Sequence, residues 1–371
     1  MGAKNTNVLE LVSGWEAVEQ IFKCIFIGLW QFIKISVKRF WKGHRRKSLK
    51  DHSPVELTVD SSIGTHCYIK IMGVKYHYVA SGPKNGQVVL ILGDAPDNGN
   101  LWCPTWSAVV RRLMETGYYV VSLDLRGTGG SEGGARWDLS PPQAVAELSA
   151  LMKAIGVSQA KPAVVIGFGI GGMLSWYLAH CHGHLISKMA VIGAPHPNLY
   201  WQNPPAVFCN GVLHFIQWPY LPERWLAEGE LQDGENGRWA SSRACDWTGA
   251  LNYLRGAAWW RIRAGHLVEA PVLLVGATNG ALLVVASTLH CSASKIRLVE
   301  KPDPTDEKLP AIMLDFLIET KDTAKKQPQE VSRSIIRGLL GAVADRGREL
   351  TSKLVNGACN VNSSLVLPVQ G

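Results

Sequence analysis

Several common guides to function are missing from this 371-residue chain. Eight cysteines are scattered without a CxxC pair. That pattern fits reduced thiols in a cytosol-facing domain better than a disulfide framework. The N-terminus lacks the basic start, clean apolar core and small-residue cleavage site of a secretory signal. Internal repeats are absent, which excludes solenoids and propellers. No acidic residue falls between Lys34 and Lys50, where eight basic residues cluster, and the rest of the chain is nearly balanced. The net charge of +8 is therefore local, and it points to an acidic surface as partner or to a solvated linker face. A long uncharged run is also missing. Lys23 and Lys34 bracket Cys24–Ile33, a run too short to span alone, since a crossing needs ~20 mostly apolar residues, although snorkelling lysines could extend it.

What is present reads as a folded α/β protein. Hydrophobic residues make up 47% of the chain and charged residues 18%, enough for a sizeable core. From His66 to Glu319, short apolar runs alternate with helical patterns: strands at His66–Met72, Val74–Ala80, Val88–Leu92, Tyr118–Asp124, Ala163–Ile166, Met189–Gly193, Val272–Val275 and Ile296–Val299. Helices are expected at Trp106–Glu115, from Ser140-Pro141 to Ile155, at Ile170–Ala179, Ala281–Leu289 and Leu309–Glu319. Such alternation predicts a mainly parallel, doubly wound sheet. Residues 198–260 are rich in Trp, Pro, Gly and Asn and break the rhythm, so they read as an inserted lid. The expected division is an N-terminal segment over 1–50, core over 60–197, lid over 198–260, core over 261–320 and a tail over 321–371. In the tail, apolar residues from Ile335 to Leu354 recur at near-helical spacing among arginines. They predict either a partner- or membrane-binding helix or one packed on the domain.

Residues 8–41 are apolar and aromatic but interrupted by charge. With Trp15, Trp30, Phe40 and Trp41, they favour an amphipathic helix lying in a membrane interface, followed by the polybasic stretch; a poor signal anchor is the second reading. The opening Met1-Gly2-Ala3-Lys4-Asn5-Thr6 fits the N-myristoylation pattern, with Gly2 as acceptor. A single acyl chain binds weakly, and a basic patch is the usual second signal.

The chemical signal lies at Gly167-Phe168-Gly169-Ile170-Gly171-Gly172, directly after the apolar run Ala163–Ile166. This is the frame of a nucleophile elbow, a turn that lifts a reactive side chain above a sheet. Gly169 stands where the nucleophile belongs and carries no side chain. Around it, Val121–Gly127, Gly171–Tyr177, Ala194-Pro195-His196-Pro197-Asn198, Gln217–Glu223 and Leu251–Arg255 resemble the epoxide hydrolases of the α/β-hydrolase superfamily. The resemblance runs from about Tyr68 to Glu319. It is nearest to the membrane-anchored animal branch that holds epoxide hydrolases 3 and 4.

The resemblance implies an α/β-hydrolase fold and, position by position, a lost reaction. The family's aspartate nucleophile falls on Gly169. Its charge-relay acid falls on Asn279, where an amide could orient a histidine but not stabilise an imidazolium as an anion would. Its base should follow the last strand, yet the next residues are Glu300-Lys301-Pro302-Asp303-Pro304-Thr305, and His290 is the chain's last histidine. The two lid tyrosines fall on Val212 and Leu254, with Tyr253 next door. The oxyanion loop has become Gly93-Asp94-Ala95-Pro96, leaving the backbone N–H groups of Ala95 and Ile170 as donors. Losing one triad member costs on the order of 10⁴–10⁶ in rate. Without a nucleophile the covalent route is closed.

The reading is thus a non-catalytic hydrolase-fold protein at a membrane surface. Its partner would be a small apolar ligand or a protein, with no cofactor and no nucleic acid. The alternative is an active epoxide or ester hydrolase with relocated residues, Asp94 or Asp124 working with His214 or His196. Against it, Asp124 is expected to hold its own turn and His196 to fix the lid entry. His180-Cys181-His182-Gly183-His184 is a dense His/Cys tract. No distant pair completes a metal site, so it reads as a helix end stopped at Gly183.

Overall fold

In a computed structural model of the chain, the described residues are 8–12, 14–42, 64–95, 104–202, 212–228 and 244–318, and the tail lies outside them. The central sheet has eight strands in the order β10-β9-β7-β6-β4-β5-β3-β2. These are β2 (Thr65–Ile71), β3 (Val74–Ser81), β4 (Val88–Leu92), β5 (Tyr119–Leu123), β6 (Ala163–Phe168), β7 (Ile186–Ile192), β9 (Val272–Ala277) and β10 (Ser294–Val299). Strands β2 and β3 form an antiparallel hairpin, and β3 joins β5 antiparallel. All other pairings are parallel, as in an α/β-hydrolase fold.

Side-chain alternation divides the core between the two faces of the sheet. Leu90, Leu92, Val121, Val165, Val191 and Leu274 face α3 (Pro141–Ala154), α4 (Gly169–His182) and the lid. Val89, Ile91, Val120, Val164, Ile192 and Val275 face α2 (Pro104–Glu115) and α9 (Leu309–Ile318). Because both faces are covered, the central strands are apolar throughout: every residue of β4, β5 and β6 is buried.

The lid comprises α5 (Pro197–Gln202), α6 (Val212–Phe215), α7 (Leu221–Ala227) and α8 (Ala244–Ala257). The buried Arg255 guanidinium binds it together, donating to Glu223 at 2.5 Å and to the carbonyls of Ile216 and Trp218. Two features depart from the sequence reading. A short strand, β8 (Trp260–Ile262), closes the lid and pairs antiparallel with β1 (Leu9–Leu11) near the N-terminus. Next, α1 (Gly14–Lys42) lies against the lid. Ion pairs and lid contacts decided these placements, and none of them marks a local pattern. Gly183 is also not a left-handed stop: at φ −53° it enters a short 3₁₀ turn that prolongs the helix end.

Candidate active site

The elbow follows from strand, turn and helix meeting at close quarters. Strand β6 ends at Phe168, and α4 begins at Gly169 with φ +49°. A side chain at Gly171 would collide with the Leu92 carbonyl, 2.2 Å from its Cβ position. The Gly171 N–H instead donates to the Gly93 carbonyl at 3.2 Å. This close approach draws the loop after β4 against the start of α4.

That loop carries Asp94, whose carboxylate lies over Gly169. A Cβ built on Gly169 would fall 2.2 Å from Asp94 Cγ and 2.2–2.3 Å from its two oxygens. Oδ1 accepts hydrogen bonds from the N–H groups of Ala95 and Ile170, both at 2.9 Å. These are the two N–H groups that the family resemblance assigns to an oxyanion, at the distance such donors work. Here they hold the protein's own carboxylate. Asp94 is half-buried, and Ala95 and Ile170 are buried. Sequence reasoning singled out all four residues separately. It did not foresee that Asp94 fills the volume Gly169 leaves open, because nothing local links residues 75 positions apart.

The other candidates lie elsewhere. Asp124, after β5, accepts from the Gly130 N–H at 2.8 Å and pairs with His77 at 2.7 Å; His77 in turn meets His66 at 2.9 Å. Its histidine partner is therefore His77, not His214 or His196, and it braces its own turn. His196 is fully buried, its backbone N–H donates to the Ser287 hydroxyl oxygen, and its Nε2 lies 3.2 Å from that of His180. Its ring stacks on His290 at 3.6 Å. Burial, then the neighbouring imidazoles, push His196 well below the usual histidine value, and His180 falls to about 4. This is a neutral packed cluster. Among the described residues no group of His, Cys, Asp and Glu is arranged to hold a metal. His214, on α6, is pulled down by burial and by Lys23 of α1, so its neighbour is the N-terminal helix.

Tyr253 and Leu254, on α8, are buried. The Tyr253 hydroxyl accepts from the Arg126 backbone, and burial raises its pKa. Nearby, Glu147 accepts from Arg126 at 2.8 Å, from Gln143 at 2.9 Å and from the Tyr76 hydroxyl. Val212 starts α6, and Asn279 sits in the 3₁₀ turn Thr278–Gly280 after β9. After β10 the chain has no histidine. Gly2 lies outside the described residues.

Comparison with known proteins agrees with this fold. The model of the Alpha/beta hydrolase family matches residues 88–309. Human epoxide hydrolase 4 is 31% identical over 185 residues, covering 48% of this chain and 49% of that protein. Epoxide hydrolase 3 of Xenopus tropicalis is 32% identical over 193 residues, covering 50% and 49%. The chain thus spans about half the length of these curated relatives. Among solved structures, a putative alpha/beta hydrolase from Nostoc sp PCC 7120 superposes with a TM-score of 0.57 at 16% identity, covering 69% of this chain and 99% of that one. Epoxide hydrolase VrEH1 from Vigna radiata gives 0.54 at 18%, covering 70% and 100%.

Proposed function

The chain belongs to the alpha/beta hydrolase family, in an epoxide-hydrolase-like branch, and from that premise we propose that it binds its ligand without turning it over and works at a membrane surface. One observation carries the first half. The Asp94 carboxylate occupies both oxyanion donors and the space above Gly169. A substrate oxygen needing those N–H groups would have to displace two charge-assisted bonds, worth ~2–3 kcal/mol together at a half-buried group. No elbow side chain would gain from doing so. The ligand is a small apolar molecule or a protein partner met at the lid. The membrane half rests on the apolar α1 and the basic run that follows, with Gly2 acylation as a second anchor.

The test is hydrolysis of aryl and alkyl epoxides and of esters by the pure chain. Rates equal to buffer alone are expected. Turnover abolished by Asp94→Asn would overturn the reading. A second reading has its own support: a carboxylate with one oxygen held by two N–H groups is positioned as a nucleophile. Intact-mass analysis after epoxide treatment separates the two. An ester adduct mapped to Asp94 supports the second reading, and an unmodified chain supports the first.

A further inference from the structure

The N-terminal helix carries two opposed faces. Gln20, Cys24, Gly28, Gln31 and Ile35 recur every three or four residues and are buried or half-buried. On the opposite side of the helix, Phe22, Phe26, Leu29, Ile33, Val37 and Phe40 are exposed, Phe40 to 87%. Glu19, Lys23, Lys34 and Lys38, all exposed, lie along one edge between the faces.

The inner face is fastened to the lid along its length. Gln20 donates to the Ala258 carbonyl at 2.9 Å, and Trp218 Nε1 donates to the Cys24 carbonyl at 2.8 Å. Gly28 is a glycine because Trp218 presses on it; an added Cβ would lie 2.6 Å from the indole nitrogen. Phe32 stacks on Trp225 at 5.6 Å. Both ends are also tied to the same body. Glu10 of β1 pairs with Arg263 and Glu16 with Arg261, while Arg39 pairs with Glu228 beyond α7.

By length and composition α1 is apolar enough to span a bilayer, but its inner face is not free of the domain. Crossing would strip these bonds or drag the lid's polar groups into hydrocarbon, where unsatisfied groups are costly. We propose that α1 lies in the plane of one leaflet, its apolar face immersed and the lid resting on the membrane. The occupant of the exposed face is therefore an anionic bilayer surface. Its chemistry fits: a face about 27 Å long from Phe22 to Phe40 by helix geometry, aromatic and aliphatic, edged by Lys34 and Lys38 and continuing into the basic run to Lys50. This deepens the membrane half of the proposed function and rests on it.

Two experiments on the full chain test the idea. The first is sedimentation with phosphatidylcholine vesicles, with and without phosphatidylserine. Binding that rises with phosphatidylserine is expected. Phe22→Ser with Phe26→Ser should weaken it roughly 100-fold, since each immersed apolar side chain contributes about tenfold or more. Lys34→Gln with Lys38→Gln should weaken it roughly thirtyfold. The second places glycosylation acceptor sites ahead of Val8 and after Gly371 in cell-expressed protein. An in-plane helix leaves both in the same state. Opposite states mean a crossing and overturn the in-plane inference while leaving the membrane reading intact. A soluble chain that ignores vesicles, whether monomeric or paired through this face, overturns both.

Discussion

If Asp94 truly replaces the missing elbow side chain, Gly169 and Asp94 must be energetically coupled. Gly169→Ala puts a methyl within 2.2 Å of the carboxylate carbon at a backbone φ of +49°. The left-handed conformation alone costs about 1–2 kcal/mol for a residue with a Cβ. Displacing the carboxylate forfeits two charge-assisted bonds, which we take as ~2–3 kcal/mol together because water reaches a half-buried group. The single variant should therefore lose about 4 kcal/mol. Asp94→Ala should lose ~2–3 kcal/mol, from the same two bonds. Once the carboxylate is gone, Gly169→Ala should cost only the backbone term, about 1–2 kcal/mol. The double variant is then predicted to be about as stable as Gly169→Ala alone, a coupling of roughly 2–3 kcal/mol. Urea unfolding at neutral pH, with the full chain in one mild detergent, measures all four corners of this cycle. Losses that add to within ~0.5 kcal/mol would mean that Asp94 does not lie over Gly169.

The histidine cluster predicts an acid sensitivity. His180 titrates near 4 in the folded state, lowered first by burial and then by His290 and His266. A depressed histidine leaves the unfolded chain binding more protons below about pH 6.5, so stability falls as pH drops from there towards 4. His180 alone should account for about 3 kcal/mol of loss at pH 4, and the drop in urea midpoint between pH 7 and pH 4 should shrink in His180→Asn. An unchanged drop would refute this. Glu147→Ala should destabilise by ~2–4 kcal/mol, because among the described residues the buried Arg126 cation keeps only the more distant, half-exposed Asp138 as a counter-charge; a Tm shift under 2 °C would contradict the network. Gly28→Leu should unseat α1 from Trp218, seen as faster amide exchange in α6 and β8; unaltered exchange would show that the helix is not fastened there.

The sheet was legible because its code is local. Short continuous apolar runs and the Ser140-Pro141 helix start need only neighbouring residues to be read. The elbow was legible for the same reason, since Gly167-Phe168-Gly169-Ile170-Gly171 is contiguous. What escaped was set by distant pairs. The meeting of Asp94 with Ile170 depends on the β4 loop being drawn to α4. The β1–β8 pairing joins residues some 250 positions apart through three-residue strands too short to leave a pattern. The inner stripe of α1 was hidden because Gln20, Gln31 and Gly28 are not the residues a hydrophobic periodicity search counts. The exposed aromatics dominated that signal instead.

The pairing of Leu9–Leu11 with Trp260–Ile262 bears on how this protein can be handled. Membrane-associated chains are commonly made soluble by cutting away the leading apolar stretch, on the assumption that it is an independent tether. Here that cut removes one of the two strands at the lid's exit, the acidic partners of Arg261 and Arg263, and the helix that covers Trp218. A preparation lacking residues 1–50 would be a lid with its backing torn off, and a failure to bind ligand in that form would say nothing about the intact chain.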